Sequence, residues 1–177
     1  EKAGVVTADA GASTAGLPRN ASPDAVQKAL QWNDKGWPWQ HYGPAVMAAV
    51  QAGVPVFGAN LPRARMREAM ADATLDARLP PPALLAQQEA IRTGHCNLLP
   101  ETQTLPMARI QVAKDLSMAR TLAQAVQPGK VVVLMAGAGH VERSLGVPVH
   151  LPSTLAYQAV RLRAGGARPE DKLQQFH

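Results

Sequence analysis

Apolar residues recur along this chain with two periods. At Val112, Leu116, Ala119, Ala123 and Val126 they alternate steps of four and three, the stripe of an amphipathic helix. This spacing predicts the longest helix over 107–126, closed by Pro128-Gly129. The short runs 54–59 and 131–135 contain no charged residue and predict strands buried on both faces. Gly4-Val5-Val6-Thr7-Ala8 is a candidate for a third, short strand. Between these runs lie helical patterns. Ser22-Pro23-Asp24 opens one that reaches about Trp32, with Ser22 as N-cap, Pro23 at N1 and Asp24 in the first turn. Residues 44–52 are almost free of polar groups and predict a buried helix stopped by Gly53. Asn60-Leu61-Pro62-Arg63 leads into a helix carrying Met66 and Met70 at i,i+4. Pro80-Pro81-Pro82 is a stiff connector, followed by a helix over 83–93, Gly94, and a loop from His95-Cys96 to Pro106. Residues 147–151 read as extended and 154–162 lean towards strand.

Helices alternating with short apolar strands predict an α/β fold, a largely parallel sheet flanked by helices in a single domain. The expected division is a flexible or partial N-terminal segment over 1–22, the α/β domain over 23–162 and a tail over 163–177. The runs 54–59 and 131–135 should be parallel, adjacent or one strand apart, with their carboxyl ends on one edge.

Composition narrows the picture. At 177 residues, 46% hydrophobic and 18% charged, the chain is neither disordered nor too small for a core. The net charge of +5 is spread out, the nearest thing to a basic run being Arg63, Arg65 and Arg67. That favours anionic ligands or membranes only weakly and nucleic acid more weakly still, so no nucleic-acid partner is expected. The single Cys96 excludes an internal disulfide and a zinc knuckle. No window of 18 apolar residues spans a membrane. The absence of an initiator Met and of a signal peptide points to a processed or excised N-terminus.

In open parallel sheets, ligands bind beyond the carboxyl ends of the strands. Two stretches fall there: Asn60 and Arg63 after 54–59, and Gly137, Gly139 and His140 after 131–135. The glycines permit a tight turn from which His140 projects, and Arg63, near a helix start, is placed for a carboxylate or propionate. The competing reading is that both glycines only pack a strand against a helix. Gly-Ala-Gly-His is not a dinucleotide fingerprint, and neither a nucleophile elbow nor a His-Glu-x-x-His helix is present. Cys96 reads as structural, and His95 divides between pocket lining and a capping role. Tyr42, beside His41, lies in the segment 32–44 that holds all three Trp. A tyrosine phenolate is an axial ligand for ferric haem, and the competing reading is a packed aromatic. The Met residues sit at helical spacings and read as core; His150 and His177 have no assigned role.

Several stretches combine into a resemblance: Trp32-Asn33-Asp34-Lys35-Gly36-Trp37 with Tyr42-Gly43-Pro44, then 53–63, Gly94-His95-Cys96, 136–141 and Gly146-Val147-Pro148. Over roughly 12–152 the chain resembles the ChaN-like family of iron-regulated haem-binding lipoproteins of Gram-negative bacteria. The resemblance implies non-catalytic binding of ferric haem in haem uptake or storage. It also implies a place in the cell envelope, periplasmic or held at the outer membrane by a lipid anchor outside this chain, and a homodimer that pairs haems with a tyrosine on the iron. Tyr42 is the first candidate for the iron, Tyr157 the second. Arg63, Asn60, His95, Gly139 and His140 complete the expected surroundings, with Arg63 and His140 in one cleft. The family's Gly-Glu-x-His-type first strand is missing, and Ala138 stands where the family usually has Asn. A truncated member lacking a central strand is the expectation. Two alternatives remain: a hydrolase of the erythromycin-esterase and metallopeptidase-like superfamily using His140 and His95, or a scaffold remnant with no ligand.

Overall fold

Three parallel strands, in the spatial order Val56–Asn60, Lys2–Asp9, Val131–Met135, form the spine of the protein. The computed structural model describes residues 2–162, with side chains from residue 8 onward. Strand β1 (Lys2–Asp9) pairs with β2 (Val56–Asn60), Gly4 opposite Val56 and Val6 opposite Gly58. Its other side pairs with β3 (Val131–Met135), Lys2 opposite Val131 and Val6 opposite Met135. The two apolar runs are therefore parallel and one strand apart, with carboxyl ends on one edge, as expected.

The strand between them corrects one expectation. The sequence predicts a flexible or partial segment over 1–22. Residues 2–9 instead occupy the centre of the sheet, where each neighbour supplies the backbone partners that a five-residue apolar run cannot find alone. The chain then turns back along β2. Thr14 N–H donates to the Val56 carbonyl at 2.9 Å and Gly58 N–H to the Ala12 carbonyl at 2.8 Å, closing the outer edge of β2. The buried Thr14 hydroxyl accepts from Val56 N–H at 2.9 Å. Where the register shifts between Val6 and Asp9, a Cβ on Gly58 would lie 2.1 Å from the Asp9 carbonyl oxygen. Only glycine lets the two backbones come this close.

Helices α1 (Pro23–Ala29) and α2 (Trp39–Gln51) cover one face. Ser22 caps α1 as predicted, accepting from Ala25 N–H at 3.2 Å, but the helix stops three residues early, before Gln31 at φ +49°. Val26, Leu30, Val46 and Val50 pack on Ala8 and Val56. The opposite face carries α3 (Met66–Ala71), α4 (Pro81–Gly94) and α5 (Glu101–Ala125). Along α5, Val112, Met118 and Ala119 are buried, while Val126 at the end of the expected stripe is exposed.

Two helix starts differ from the sequence reading for the same reason. α2 begins at Trp39 rather than Pro44, and α5 at Glu101 rather than after Pro106. Each proline is the sixth residue of its helix. The carbonyl it leaves without a partner belongs to an exposed residue, Gln40 or Thr102, where water can satisfy it. The Asp34 carboxylate also holds the Trp39 N–H at 2.7 Å, starting α2 early.

Other expectations fail at the surface. The helix over 44–52 is not fully buried: Val46 and Val50 are, but Pro44, Ala45 and Ala48 face solvent. Nor is β3 buried on both faces. Val132 and Leu134 pack near α5, whereas Val131 and Val133 are 61% and 53% exposed. Residues 147–151 form a 3₁₀ turn (Val147–His150), because Pro148 fixes a turn conformation, and 154–162 contain no strand. The tail over 163–177 lies outside the described residues.

Candidate functional site

At the carboxyl edge, β1 ends in Asp9, β2 in Asn60, and β3 runs into the turn carrying Gly137 and His140. Asp9, Asn60, Trp32 and Trp37 line a hollow of about 30 Å³, the space of a single water molecule. Burial pushes the Asp9 carboxyl up, and the Arg63 backbone N–H, which donates to it, partly offsets this. No local pattern singles out Asp9, which reaches this edge only because its strand sits at the centre of the sheet.

The Trp segment places Tyr42 beside this edge. The Trp32 indole N–H donates to the Trp37 carbonyl at 2.7 Å, closing the loop on itself. Trp39 meets Trp32 edge to face at 5.1 Å, and Tyr42 lies 5.3 Å from Trp37 and 6.1 Å from Trp32 between ring centres. A Cβ on Gly137 would touch both the Trp37 ring and the His140 ring at 3.7 Å. Tyr42, Trp37 and the 137–140 turn thus follow one another along the edge. The half-buried Tyr42 ring is held by packing.

His140 is anchored from below. Its Nδ1 lies 2.6 Å from Asp115 Oδ1 and 3.0 Å from Gln111 Nε2, one turn earlier on α5. Asp115 is 0% exposed, and its Oδ2 has no partner among the described residues. Burial raises the Asp115 carboxyl, while His140 and then Lys114 pull the other way. With a proton on Nδ1, the Nε2 of His140 is left as an acceptor. The sequence did contain a signal for this pair: Asp115 follows Val112 by three and precedes Ala119 by four, on the apolar stripe itself.

The remaining candidates are not brought together. His95 ends α4 with its Nδ1 at 2.8 Å from the Ile91 carbonyl, a capping role on an exposed residue. Arg92 ties that end of α4 to Glu101 at the start of α5. Ten to fourteen residues of helix, roughly 15–20 Å, then separate it from Gln111 and Asp115. Arg63 is exposed and contributes its backbone rather than its side chain to the Asp9 corner. Neither Arg63 nor His140 lines the hollow or the larger cleft described next. Gly139 faces open space and Gly137 meets only ordinary contacts, so no close approach requires glycine at either position. Tyr157 lies in an irregular segment, 43% exposed, under the Arg143 guanidinium at 5.7 Å.

A separate cleft of about 660 Å³ opens on the other face of the sheet, between α3 and α5. Phe57, Leu61, Leu75 and Leu116 contribute its apolar surface, with Arg65, Arg78 and Arg120 among its polar lining.

Among the described residues, no group of three or more His, Cys, Asp or Glu is arranged to hold a metal ion. No helix among them is long and apolar enough to cross a membrane.

The geometry can be set beside known proteins. A family model described as haem-binding uptake, Tiki superfamily, ChaN matches residues 12–151. No curated protein matches the chain. Among solved structures, one of Campylobacter jejuni ChaN with cofacially bound heme superposes with a TM-score of 0.66 at 22% identity, over 85% of this chain. The chain spans 62% of the length of that protein. The fold and the family match agree, and this chain belongs to the ChaN family of haem-binding uptake proteins.

Proposed function

We propose that this chain binds ferric haem without catalysing a reaction on it, in haem uptake or storage within the cell envelope, with two copies pairing around the bound haems. One observation carries the reading: in a chain of a haem-binding family, Tyr42 is fixed by two tryptophans beside the carboxyl edge of the sheet. The apolar faces of Trp32 and Trp37 supply a surface for the macrocycle, and the Tyr42 phenolate supplies an oxygen for ferric iron. Tyr157 is the alternative ligand. His140 and Asn60 stand at the edge as hydrogen-bonding partners for the ligand's periphery. A ferric haem titration of the purified chain tests this. A saturating Soret shift with quenching of tryptophan emission is expected, and a linear, unsaturating absorbance rise overturns it.

One observation favours a second reading. Asp115 orients His140 as an aspartate orients the base of a hydrolase, and Asp9 puts a second carboxyl on the same edge. His95 takes no part, so the site would act through His140 alone. Ester hydrolysis that is abolished by His140→Ala, in a chain that does not shift the Soret band, would replace haem binding with this reading.

A further inference from the structure

The 660 Å³ cleft changes character along its length. One wall is a single face of α5. At one end this face presents Ala113 and Leu116, which pack with Leu61, Ala69 and Leu75 from across the cleft. Further along it presents Ser117, Arg120 and Gln124. An apolar stretch thus gives way to a polar mouth over about 10 Å of helix. The facing wall is α3 with the 3₁₀ turn Ala73–Arg78, and its charges are engaged with one another. Glu68 pairs with Arg65 at 3.2 Å. Asp72 accepts from the Thr74 hydroxyl at 2.6 Å and its N–H at 2.9 Å, and the Arg78 charge acts on the same carboxylate. Three arginines against two carboxylates leave the lining with one positive charge in excess. That charge is Arg120, exposed at the polar end and without a hydrogen bond or ion pair among the described residues. The Thr121 hydroxyl beside it is spent on the Ser117 carbonyl at 3.1 Å, so the Ser117 hydroxyl and the Gln124 amide are the donors that accompany it.

We infer that this cleft binds one medium-chain aliphatic monocarboxylate, with its head on Arg120 and its tail along Leu116, Ala113 and Leu61. A single unneutralised guanidinium calls for a single anionic head, and a carboxylate meets it with two parallel hydrogen bonds. The apolar end is walled by Leu and Ala, which suit a flexible hydrocarbon chain, each buried methylene adding to the affinity. The volume falls within the range of small-molecule sites. No residue of the Tyr42 edge takes part, so the inference stands independently of haem binding there.

Decanoate is the probe, titrated into the whole chain by calorimetry. One decanoate per chain should bind, while acetate, which has the head without the tail, should not saturate. Decanol keeps the tail and loses the charge, and should bind about tenfold more weakly. Arg120→Gln should weaken decanoate by about the same factor and leave decanol unchanged, and Arg120→Lys should recover part of the loss. Arg120 is exposed, so the fold should survive, as a thermal melt checks. Arg67, exposed on α3 and outside the lining, gives the control: Arg67→Gln should bind decanoate like the parent. Equal affinity for decanoate and decanol overturns the inference, as does an Arg120→Gln chain that binds decanoate unchanged. A loss in Arg67→Gln as large as in Arg120→Gln also overturns it, because net charge rather than the cleft would then be responsible. The two readings fail separately. A chain that saturates with decanoate but gives no saturable haem shift loses the Tyr42 site and keeps the cleft. A chain that shifts the Soret band but does not saturate with decanoate loses the cleft alone.

Discussion

Asp115 carries more of the fold than its single side chain suggests. It is buried on α5, and its only side-chain partner among the described residues is His140, so it ties the helix to the turn after β3. Removing it leaves His140 and Gln111 facing a void. Asp115→Ala should cost about 1–3 kcal/mol in a denaturant titration, the usual loss when a buried polar group is left without its hydrogen-bond partner. Asp76 behaves differently. Arg109 grips both its oxygens at 2.8 Å and also reaches the Met70 carbonyl, and this pairing holds the Asp76 carboxyl below its ordinary value. A lowered carboxyl contributes stability above the unfolded carboxylate range and loses it as pH falls through the lowered value. Asp76→Asn should therefore cost about 1–2 kcal/mol near neutral pH and progressively less in acid, seen as a flatter acid limb in thermal melts. At Tyr42, Phe keeps the ring among Trp32 and Trp37 and removes only the oxygen. Its melting temperature should stay within a degree or two of the parent, while any phenolate charge-transfer band in the haem complex disappears. A band that persists in Tyr42→Phe and vanishes in Tyr157→Phe moves the iron to Tyr157.

At the scale of elements, β1 is the piece on which the others depend. β2 and β3 bond to it and not to each other. Removing residues 1–9 should abolish the sheet and leave helices without a common surface. Circular dichroism should then show residual helix but no cooperative melt. A cooperative transition in that truncated chain would mean that β2 and β3 can pair directly. A finer test is Gly58→Ala, which places a methyl against the Asp9 and Ala8 carbonyl oxygens and must push β2 away from β1. A loss of about 2–4 kcal/mol is expected, in the range of overpacked or strained sites. Ser22 shows the opposite case, a local cap whose effect can be read without the rest of the molecule.

Across the whole molecule, two hollows lie on opposite faces of one small sheet. The Trp32–Trp37 corner belongs to the α1–α2 side and the arginine-lined cleft to the α3–α5 side. The alternation along β2 enforces this separation: Val56 and Asn60 face α2 and the corner, while Phe57 and Ala59 face α5 and the cleft. Much of this was legible in the chain. The runs 54–59 and 131–135, the cap at Ser22, the α/β class and the motifs of the ChaN family depend on local pattern, which short-range sterics and hydrophobic period determine. Tertiary structure decided the rest. Residues 2–9 became central because two neighbours offered backbone partners, which no local pattern announces. Pro44 and Pro106 entered helices because the carbonyls they orphan face water. Asp115 met His140, and His95 did not, because α5 sets which residues share a level along its axis. Local pattern determined the two apolar strands, most of the helices and the family they make; only packing determined where helices begin, which strand is central and which side chains meet, because contacts between distant residues follow from the arrangement of those elements in space.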